Sequence, residues 1–335
     1  MGSDPVYPVY PAASTAALAN AAAASVIALD WGTTSLRAYL LTRDGRVQGE
    51  RAGGEGIMQI EGGTFAAALN ALCSDWLTSY PDATLIASGM IGSKQGWIEA
   101  PYCPCPANAA ALARNMVTIN VAGSDSDGDD GHKPRPLHIV PGVSFIDPAS
   151  GVPDVMRGEE TQIIGAIPTT GAHLVVLPGT HSKWAWVEDG AIVRFSSWMT
   201  GEVYAALTQH TILGRLMQLD AAHDADAFAR GVRYGHSKPA LLLNQIFSAR
   251  TLGLFNEIDS AALPSYLSGM LIGTEIGAAI SSAAHSQSDA PAQLLGSAAL
   301  VQRYQTAFEL AGLKASIGSA DCAARGLYQL AQVAE

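Results

Sequence analysis

The strongest constraint in this chain of 335 residues is a pattern that occurs twice. Ile27–Arg37 reads Ile-Ala-Leu-Asp-Trp-Gly-Thr-Thr-Ser-Leu-Arg: an apolar run, a Gly-Thr-Thr-Ser turn, and an alternating run that continues to Leu41 before Asp44-Gly45. His173–Val193 follows the same plan, with Leu-Val-Val-Leu-Pro, then Gly-Thr-His-Ser, then Lys-Trp-Ala-Trp-Val-Glu and Asp-Gly. Gly32 aligns with Gly179, Thr33 with Thr180, Ser35 with Ser182 and Ala38 with Ala185; Asp44-Gly45 meets Asp189-Gly190 after a two-residue gap. Alternation closed by Asp-Gly predicts strand, turn, strand, hairpin turn, strand. One such turn has an ordinary conformational explanation, because Gly, Ser and Thr fill hairpins of every kind. Two copies, one in each half, predict two lobes of one design.

Each turn offers backbone N–H groups beside hydroxyls, a nest of donors that suits phosphate oxygens. Facing each other across a cleft, two such turns grip a polyphosphate from both sides. Asp30, at the mouth of the first, is placed to hold the magnesium that accompanies a nucleotide. The arrangement resembles the actin, hsp70 and sugar-kinase superfamily. That resemblance implies an α/β fold of two ribonuclease-H-like lobes, the actin-like ATPase fold, with nucleotide in the interlobe cleft. The expected division is a disordered extension over 1–24, a first lobe over 25–168 and a second over 169–335.

Composition excludes several classes. With 19 Lys and Arg and a formal net charge of −11, the chain lacks the basic face that nucleic-acid binding needs. Met1–Ala24 has neither the basic start nor the apolar centre of a signal peptide, and no run is long and apolar enough to span a bilayer, so a cytoplasmic protein is expected. Cysteines 73, 103, 105 and 322 show no metal-ligand spacing and are expected to be reduced thiols. Residues 123–136 are acidic and glycine-rich and read as a surface loop.

Between the two copies lie the polar candidates. Thr64–Tyr80 has helical spacing with Thr64 as N-cap, and Thr84–Ala87 reads as a short buried strand entering a glycine-rich loop. In that loop Ser93, Lys94, Gln95, Trp97 and Tyr102 combine donors, a cation and aromatic faces, the set a polyhydroxylated acid requires; an ordinary polar connector reads the same. Asn108–Ala122 is expected to be a helix and Leu137–Val140 a strand. In Asp154-Val-Met-Arg-Gly-Glu-Glu-Thr-Gln, a glycine precedes Glu159 and Glu160 at the start of a helix. Two carboxylates there suit either proton transfer or simple compensation of the helix dipole. Glu202, also in a first helical turn, carries the same ambiguity.

In the second half, Val203–Leu216, Ala240–Ala249 and Pro264–Ala279 read as helices, and glycines 269, 273 and 277 form a small-residue face for close packing. A short strand then breaks at Gly296-Ser297 into a helix, where a nucleoside could lie over a residue with no side chain. Asp321–Gln332 is expected to close the chain as a helix.

Taken together, Asp30-Trp-Gly-Thr-Thr-Ser, Gly89-Met-Ile-Gly-Ser-x-x-Gly-Trp97, Met156-Arg-Gly-Glu-Glu-Thr-Gln162, Leu177-Pro-Gly-Thr-His-Ser-Lys-Trp184 and Met199-Thr-Gly-Glu202 resemble the 2-dehydro-3-deoxygalactonokinase family from about Val26 onward. The resemblance implies transfer of the ATP γ-phosphoryl to the 6-hydroxyl of 2-dehydro-3-deoxy-D-galactonate, with Mg2+. It implies that Gly32, Thr33, Thr34 and Ser35 hold phosphates together with Gly179, Thr180, His181, Ser182 and Lys183, that Asp30 holds the metal through water, and that Gly296 and Ser297 receive the adenosine. Glu159 or Glu160 is the expected base, with Asp154 next in line. Arg157 or Lys94 is expected to take the substrate carboxylate, in a pocket that includes Gly92. The partners are then a sugar acid and ATP, and a homodimer is a further expectation. Two other readings remain open: an exopolyphosphatase-like phosphohydrolase, from Gly-Glu-Glu opening a helix, and a nucleotide-binding regulator.

Overall fold

A computed structural model describes residues 24–60, 62, 64–121, 134–282 and 290–334. The expectations for the extension and for the body of the acidic loop lie outside the described residues. The first half runs β1 (Ala24–Trp31), β2 (Ser35–Thr42), β3 (Val47–Glu55), α1 (Phe65–Ser79), β4 (Thr84–Gly89), β5 (Cys103–Pro104), α2 (Ala109–Arg114), β6 (Val117–Val121), β7 (Arg135–Ile139), β8 (Val143–Ile146), β9 (Pro153–Met156) and α3 (Glu159–Ala166). The second runs β10 (Ala172–Leu177), β11 (Ser182–Glu188), β12 (Ala191–Trp198), α4 (Thr200–His210), α5 (Ala225–Ser237), α6 (Leu242–Gln245), α7 (Ser248–Leu254), α8 (Leu263–Ser282), β13 (Ala292–Leu294), α9 (Ala298–Leu310), β14 (Ala315–Ile317) and α10 (Cys322–Ala334).

The two large sheets share one topology. In the first, the order is β3-β2-β1-β4-β7-β6, with β1–β3 an antiparallel meander and β4 and β7 parallel to β1. In the second, β12-β11-β10 is the corresponding meander, and β13 and β14 lie parallel to β10. This is the expected pair of ribonuclease-H-like lobes. Asp-Gly closes a hairpin in each, with Gly45 and Gly190 at φ of 78° and 75°, which glycine adopts without Cβ strain.

Alternation along the strands builds three layers of core. Ile27, Leu29, Leu36, Ala38 and Leu40 pack outward under α1, on Phe65, Leu69 and Trp76. Val26, Ala28, Tyr39 and Leu41 point the other way and share a cluster with Val175, Leu177, Ala185 and Val187 of the second sheet and with Ile163, Ile164, Leu327 and Leu330 of α3 and α10. Trp184 and Trp186 face the far side, on Phe228, Ile276, Tyr304 and Phe308. The two lobes therefore share a core through α3 and α10. These helices cross at bare backbone: a Cβ on Gly326 would lie 1.9 Å from the Thr161 carbonyl oxygen, and one on Gly165 would lie 2.0 Å from that of Cys322.

Three expectations change. Only Ala109–Arg114 of Asn108–Ala122 is helical, capped by Asn108 Oδ1, which accepts from the Ala111 N–H at 2.9 Å. The remainder, rich in β-branched residues, is β6, paired with β7. The last helix does not stay with residues 169–335, because it packs on α3, α2 and the first sheet. Finally, α5, absent from the sequence reading, is the partner of the small-residue face of α8. A Cβ on Gly269 would meet the Phe228 carbonyl oxygen at 2.1 Å, and one on Gly231 would meet that of Tyr266 at the same distance.

Candidate active site

The floor of the cleft forms where β1, β4 and α3 end or begin side by side. Gly89 has φ of 93°, and a Cβ there would lie 2.7 Å from the Trp31 carbonyl oxygen. Gly158, with φ of 106°, brings the start of α3 against Gly89. Above this floor the first turn exposes Thr33, Thr34 and Ser35. The Gly32 N–H donates to the Ser35 carbonyl at 2.9 Å, while Ile57 and Met58 N–H groups fasten the Gly32 and Thr33 carbonyls at 3.1 and 3.2 Å.

Asp30 lies beside this turn, and burial pushes its carboxyl pKa up while Arg37, opposite it in the β1–β2 register, pulls it down. Glu159 stands near enough to be influenced by both Asp30 and Lys183; burial raises its pKa most, and the Lys183 charge opposes that rise. One carboxylate of the first lobe, one from the start of α3 and one cation of the second lobe thus converge. The described residues contain no cluster of three or more His, Cys, Asp or Glu that could cage a metal. Asp30 fits a magnesium carried by nucleotide phosphates, which needs only one or two carboxylates and keeps waters of its own.

The geometry separates the two adjacent glutamates. Glu160 is fully buried, and both its oxygens accept from the Gly158 N–H, at 2.9 and 2.7 Å. Burial and the neighbouring Glu159 push its pKa up to about 8. A carboxyl with both oxygens held by a backbone N–H and closed off from the cleft is a poor proton acceptor. Glu159 is part-exposed, with one oxygen accepting from the Arg157 N–H at 3.0 Å. Asp154 is fully engaged elsewhere: Ser197 donates to it from its backbone N–H and its hydroxyl, each at 2.6 Å, tying β9 to β12.

Of the loop candidates, Gly92, Tyr102 and Arg157 come together. The Arg157 guanidinium lies 4.5 Å from the Tyr102 ring centroid, and a Cβ on Gly92 would fall 2.9 Å from Nη1. Nη2 donates to the Ala100 carbonyl at 2.7 Å, whereas Nε and Nη1 are buried without a protein partner, as is Ser93 Oγ. Unmet donors on a buried cation are costly, and a bound anion satisfies them. Lys94 and Gln95 are exposed at the loop tip, and Trp97 stacks on Phe65 at 5.8 Å, packed into the first lobe.

The second turn differs from its expected role at two positions. Thr180 and His181 are exposed beside Gly179, but Ser182 is buried, with its hydroxyl 2.9 Å from Tyr304 Oη. Lys183 projects from β11 beside β12, and its Nζ donates to Ser197 Oγ there and, across to β9 of the first half, to the Val155 carbonyl at 2.9 Å. It therefore acts on the cleft through its field on Glu159 and not from the turn. His181 contacts Glu202, which opens α4. Beside Gly179 and Thr180 is a cavity of about 230 Å³, walled by α4, α8 and α9 through residues such as Gly201, Leu271, Leu300 and Arg303. Gly296, at φ of 150°, lies close to Pro178, and Gly296 and Ser297 are exposed at the start of α9, whose Leu300 lines the cavity.

Two features here escaped the sequence reading. Arg37 stood in the alternating run of the first copy, where parity alone puts it on the same face as Tyr39 and Ala28. Glu275, the lone charge in the apolar Leu263–Ser282, lies under the cavity; that isolation was its signal.

A family profile described as 2-keto-3-deoxy-galactonokinase matches residues 30–330. A Rhizobium meliloti (strain 1021) protein named as a probable 2-dehydro-3-deoxygalactonokinase is 38% identical over 307 residues, covering 89% of this chain and 93% of its own. The 2-dehydro-3-deoxygalactonokinase of Escherichia coli (strain K12) is 32% identical over 300 residues, with coverages of 90% and 94%. A crystal structure from Sinorhizobium meliloti under the same family name superposes with a TM-score of 0.76 at 36% identity, covering 92% of this chain and 98% of that one. Across nearly its whole described length, from the first phosphate turn to the last helix, this chain belongs to the 2-keto-3-deoxy-galactonokinase family.

Proposed function

We propose that the protein transfers the γ-phosphoryl group of ATP to the 6-hydroxyl of 2-dehydro-3-deoxy-D-galactonate. The observation that carries the reading within the site is the buried Arg157 guanidinium, with two unmet donors, one residue away in the loop from Gly158 and the Glu159 carboxylate. A sugar acid has the two groups this pairing needs: a carboxylate for the bidentate fork of Arg157 and a hydroxyl for the base. Tyr102 covers the guanidinium, so its ring moves aside as the acid enters. The exposed Thr33–Ser35 and Gly179–His181 turns hold the triphosphate from opposite lobes, and the 230 Å³ cavity beside the second turn takes the nucleoside. Asp30 would hold magnesium through water, and the metal would supply charge neutralisation on the transferring phosphoryl group.

Glu159 receives the hydroxyl proton. Burial raises its carboxyl above the ordinary range, which strengthens it as a proton acceptor, while the Lys183 charge opposes that rise. Closing the lobes around both substrates excludes water and so suppresses hydrolysis of ATP. A cytoplasmic setting agrees with four free cysteines, and no helix among the described residues is long and apolar enough to cross a membrane. The proposal extends to a homodimer, supported by the exposed apolar side chains Leu243, Phe247 and Phe255, and checked by sedimentation equilibrium.

The deciding experiment is ADP release with magnesium-ATP and, in parallel, the galactonate acid, its gluconate epimer, polyphosphate or no acceptor. Stimulation by the galactonate acid above its epimer is expected. In the same assay Glu159→Gln should lower kcat by about 100-fold or more, while Glu160→Gln stays within a few-fold. Polyphosphate turnover, or no acceptor dependence, overturns the substrate; a normal kcat in Glu159→Gln overturns the base.

A further inference from the structure

The second lobe holds a buried carboxylate that no step above uses. Glu275 sits in the middle of α8, 2% exposed. Trp184 Nε1 donates to its Oε1 at 2.7 Å; Tyr304 Oη donates to its Oε2, also at 2.7 Å, and the Thr200 hydroxyl donates to the same oxygen. Because the Tyr304 hydrogen is committed to Glu275, the Ser182 hydroxyl 2.9 Å away must donate to Tyr304. All four donors therefore converge, directly or through one hydroxyl, on a single side chain.

A buried carboxylate with no cation hydrogen-bonded to it is a costly way to fill a core; apolar packing of the same volume generally does as well. What distinguishes this one is where its donors come from. Ser182 and Trp184 begin β11, immediately after the Gly179–His181 turn. Thr200 opens α4, whose Gly201 is so close to that turn that a Cβ would lie 2.5 Å from the Gly179 carbonyl oxygen. Tyr304 belongs to α9. Thr200 and Tyr304 also line the 230 Å³ cavity. Three separate elements that border this cavity and turn are thus pinned to one point.

We propose that Glu275 is a positioning residue for the nucleotide: its carboxylate fixes the second phosphate turn, the start of α4 and α9 relative to one another, and so sets the shape of the nucleoside cavity. The inference rests on reading that cavity as the nucleoside site. Glu275 acts through its partners and touches no substrate. Since its oxygens only accept, they also fix the direction of every hydroxyl in the network, with the Thr200 and Tyr304 hydrogens pointing inward. An amide at this position has one acceptor and one donor group, so it preserves the shape but reverses part of that order.

The test measures ADP affinity by calorimetry without acceptor, and KM for ATP and for the sugar acid separately, in wild type, Glu275→Gln, Tyr304→Phe and Leu300→Trp. Melting temperatures are recorded alongside. Glu275→Gln and Tyr304→Phe should each weaken ADP binding and raise KM for ATP by about 10-fold, in line with the usual worth of a charge-assisted hydrogen bond. KM for the sugar acid should stay within two-fold, a split that general loss of folding does not produce. Leu300→Trp fills the cavity and should abolish ADP binding. If ADP still binds Leu300→Trp normally, the nucleoside reading of the cavity fails and the proposal with it. If Leu300→Trp loses ADP but Glu275→Gln and Tyr304→Phe bind it as wild type does, the positioning role alone is wrong. Parallel rises in both KM values also overturn it. Should Glu275→Gln fail to fold, Tyr304→Phe, which removes one oxygen, decides.

Discussion

The two phosphate turns are copies in backbone but not in chemistry. Each is braced by a glycine from a later segment: a Cβ on Gly56 would strike Thr33 and Thr34 backbone at 2.4 Å, and one on Gly201 would strike Gly179 at 2.5 Å. Each lies at the end of a meander of the same topology. Yet the residue two places before the turn glycine is Asp30 in the first lobe and Leu177 in the second, where it is 5% exposed in the shared core. Beneath the first turn lies apolar packing, and beneath the second the Glu275 network. Duplication gave both lobes the same exposed turn. Divergence put Asp30 beside one turn and a cavity of about 230 Å³ beside the other.

Exchanging the weight of the two sides tests this contrast. Asp30→Asn should lower kcat by about 100-fold or more while leaving the fold intact, because it removes charge stabilisation of the transferring phosphoryl group and also relieves a desolvated carboxylate. At the matching position, Leu177→Ala should cost about 2–5 kcal/mol of stability by denaturant unfolding, from loss of packing in the shared core. If Leu177→Ala proved catalytically as severe as Asp30→Asn in folded protein, the division of labour would be wrong.

The bracing glycines should instead behave alike. Gly56→Ala and Gly201→Ala each force a Cβ into turn backbone, and each should lose about 1–3 kcal/mol together with a raised KM for ATP. A difference in sign between them would show that the turns are held by unrelated means.

The smallest effect separates the adjacent glutamates. Glu160 has a native pKa near 8 against an ordinary 4.5, so between those values the folded state keeps a proton that the unfolded chain releases. Stability should then fall as pH rises through that window. Glu160→Gln, which cannot titrate, should flatten the dependence of the urea midpoint measured at pH 5, 6.5 and 8.

Much of this was legible beforehand. Gly-Thr-x-Ser between alternating runs announced both meanders, since strand parity is a local property of side-chain order. The candidates around Gly92, Arg157 and Glu159 were also in view, because polar groups next to glycine in an apolar chain are conspicuous. Lys183 and Ser182 misled, as a residue beside a turn reads as part of it, while the parity of β11 sends one across to Val155 and the other inward to Tyr304. The helix expected after Asn108 failed because alanine propensity governs only six residues before β-branched ones take over.

The sequence by itself determined the two-lobed plan, the repeated Gly-Thr-x-Ser turns and the family, all of which rest on short stretches read in order. Only the tertiary structure buried Glu160 while leaving Glu159 part-exposed, tied Asp154 to Ser197, packed α10 on α3 and the first sheet and gathered Trp184, Thr200 and Tyr304 around Glu275. Those outcomes depend on burial and on partners far apart in the chain, such as Ser182 and Tyr304, 122 residues apart, and no local pattern encodes the desolvation or the contacts that such meetings create.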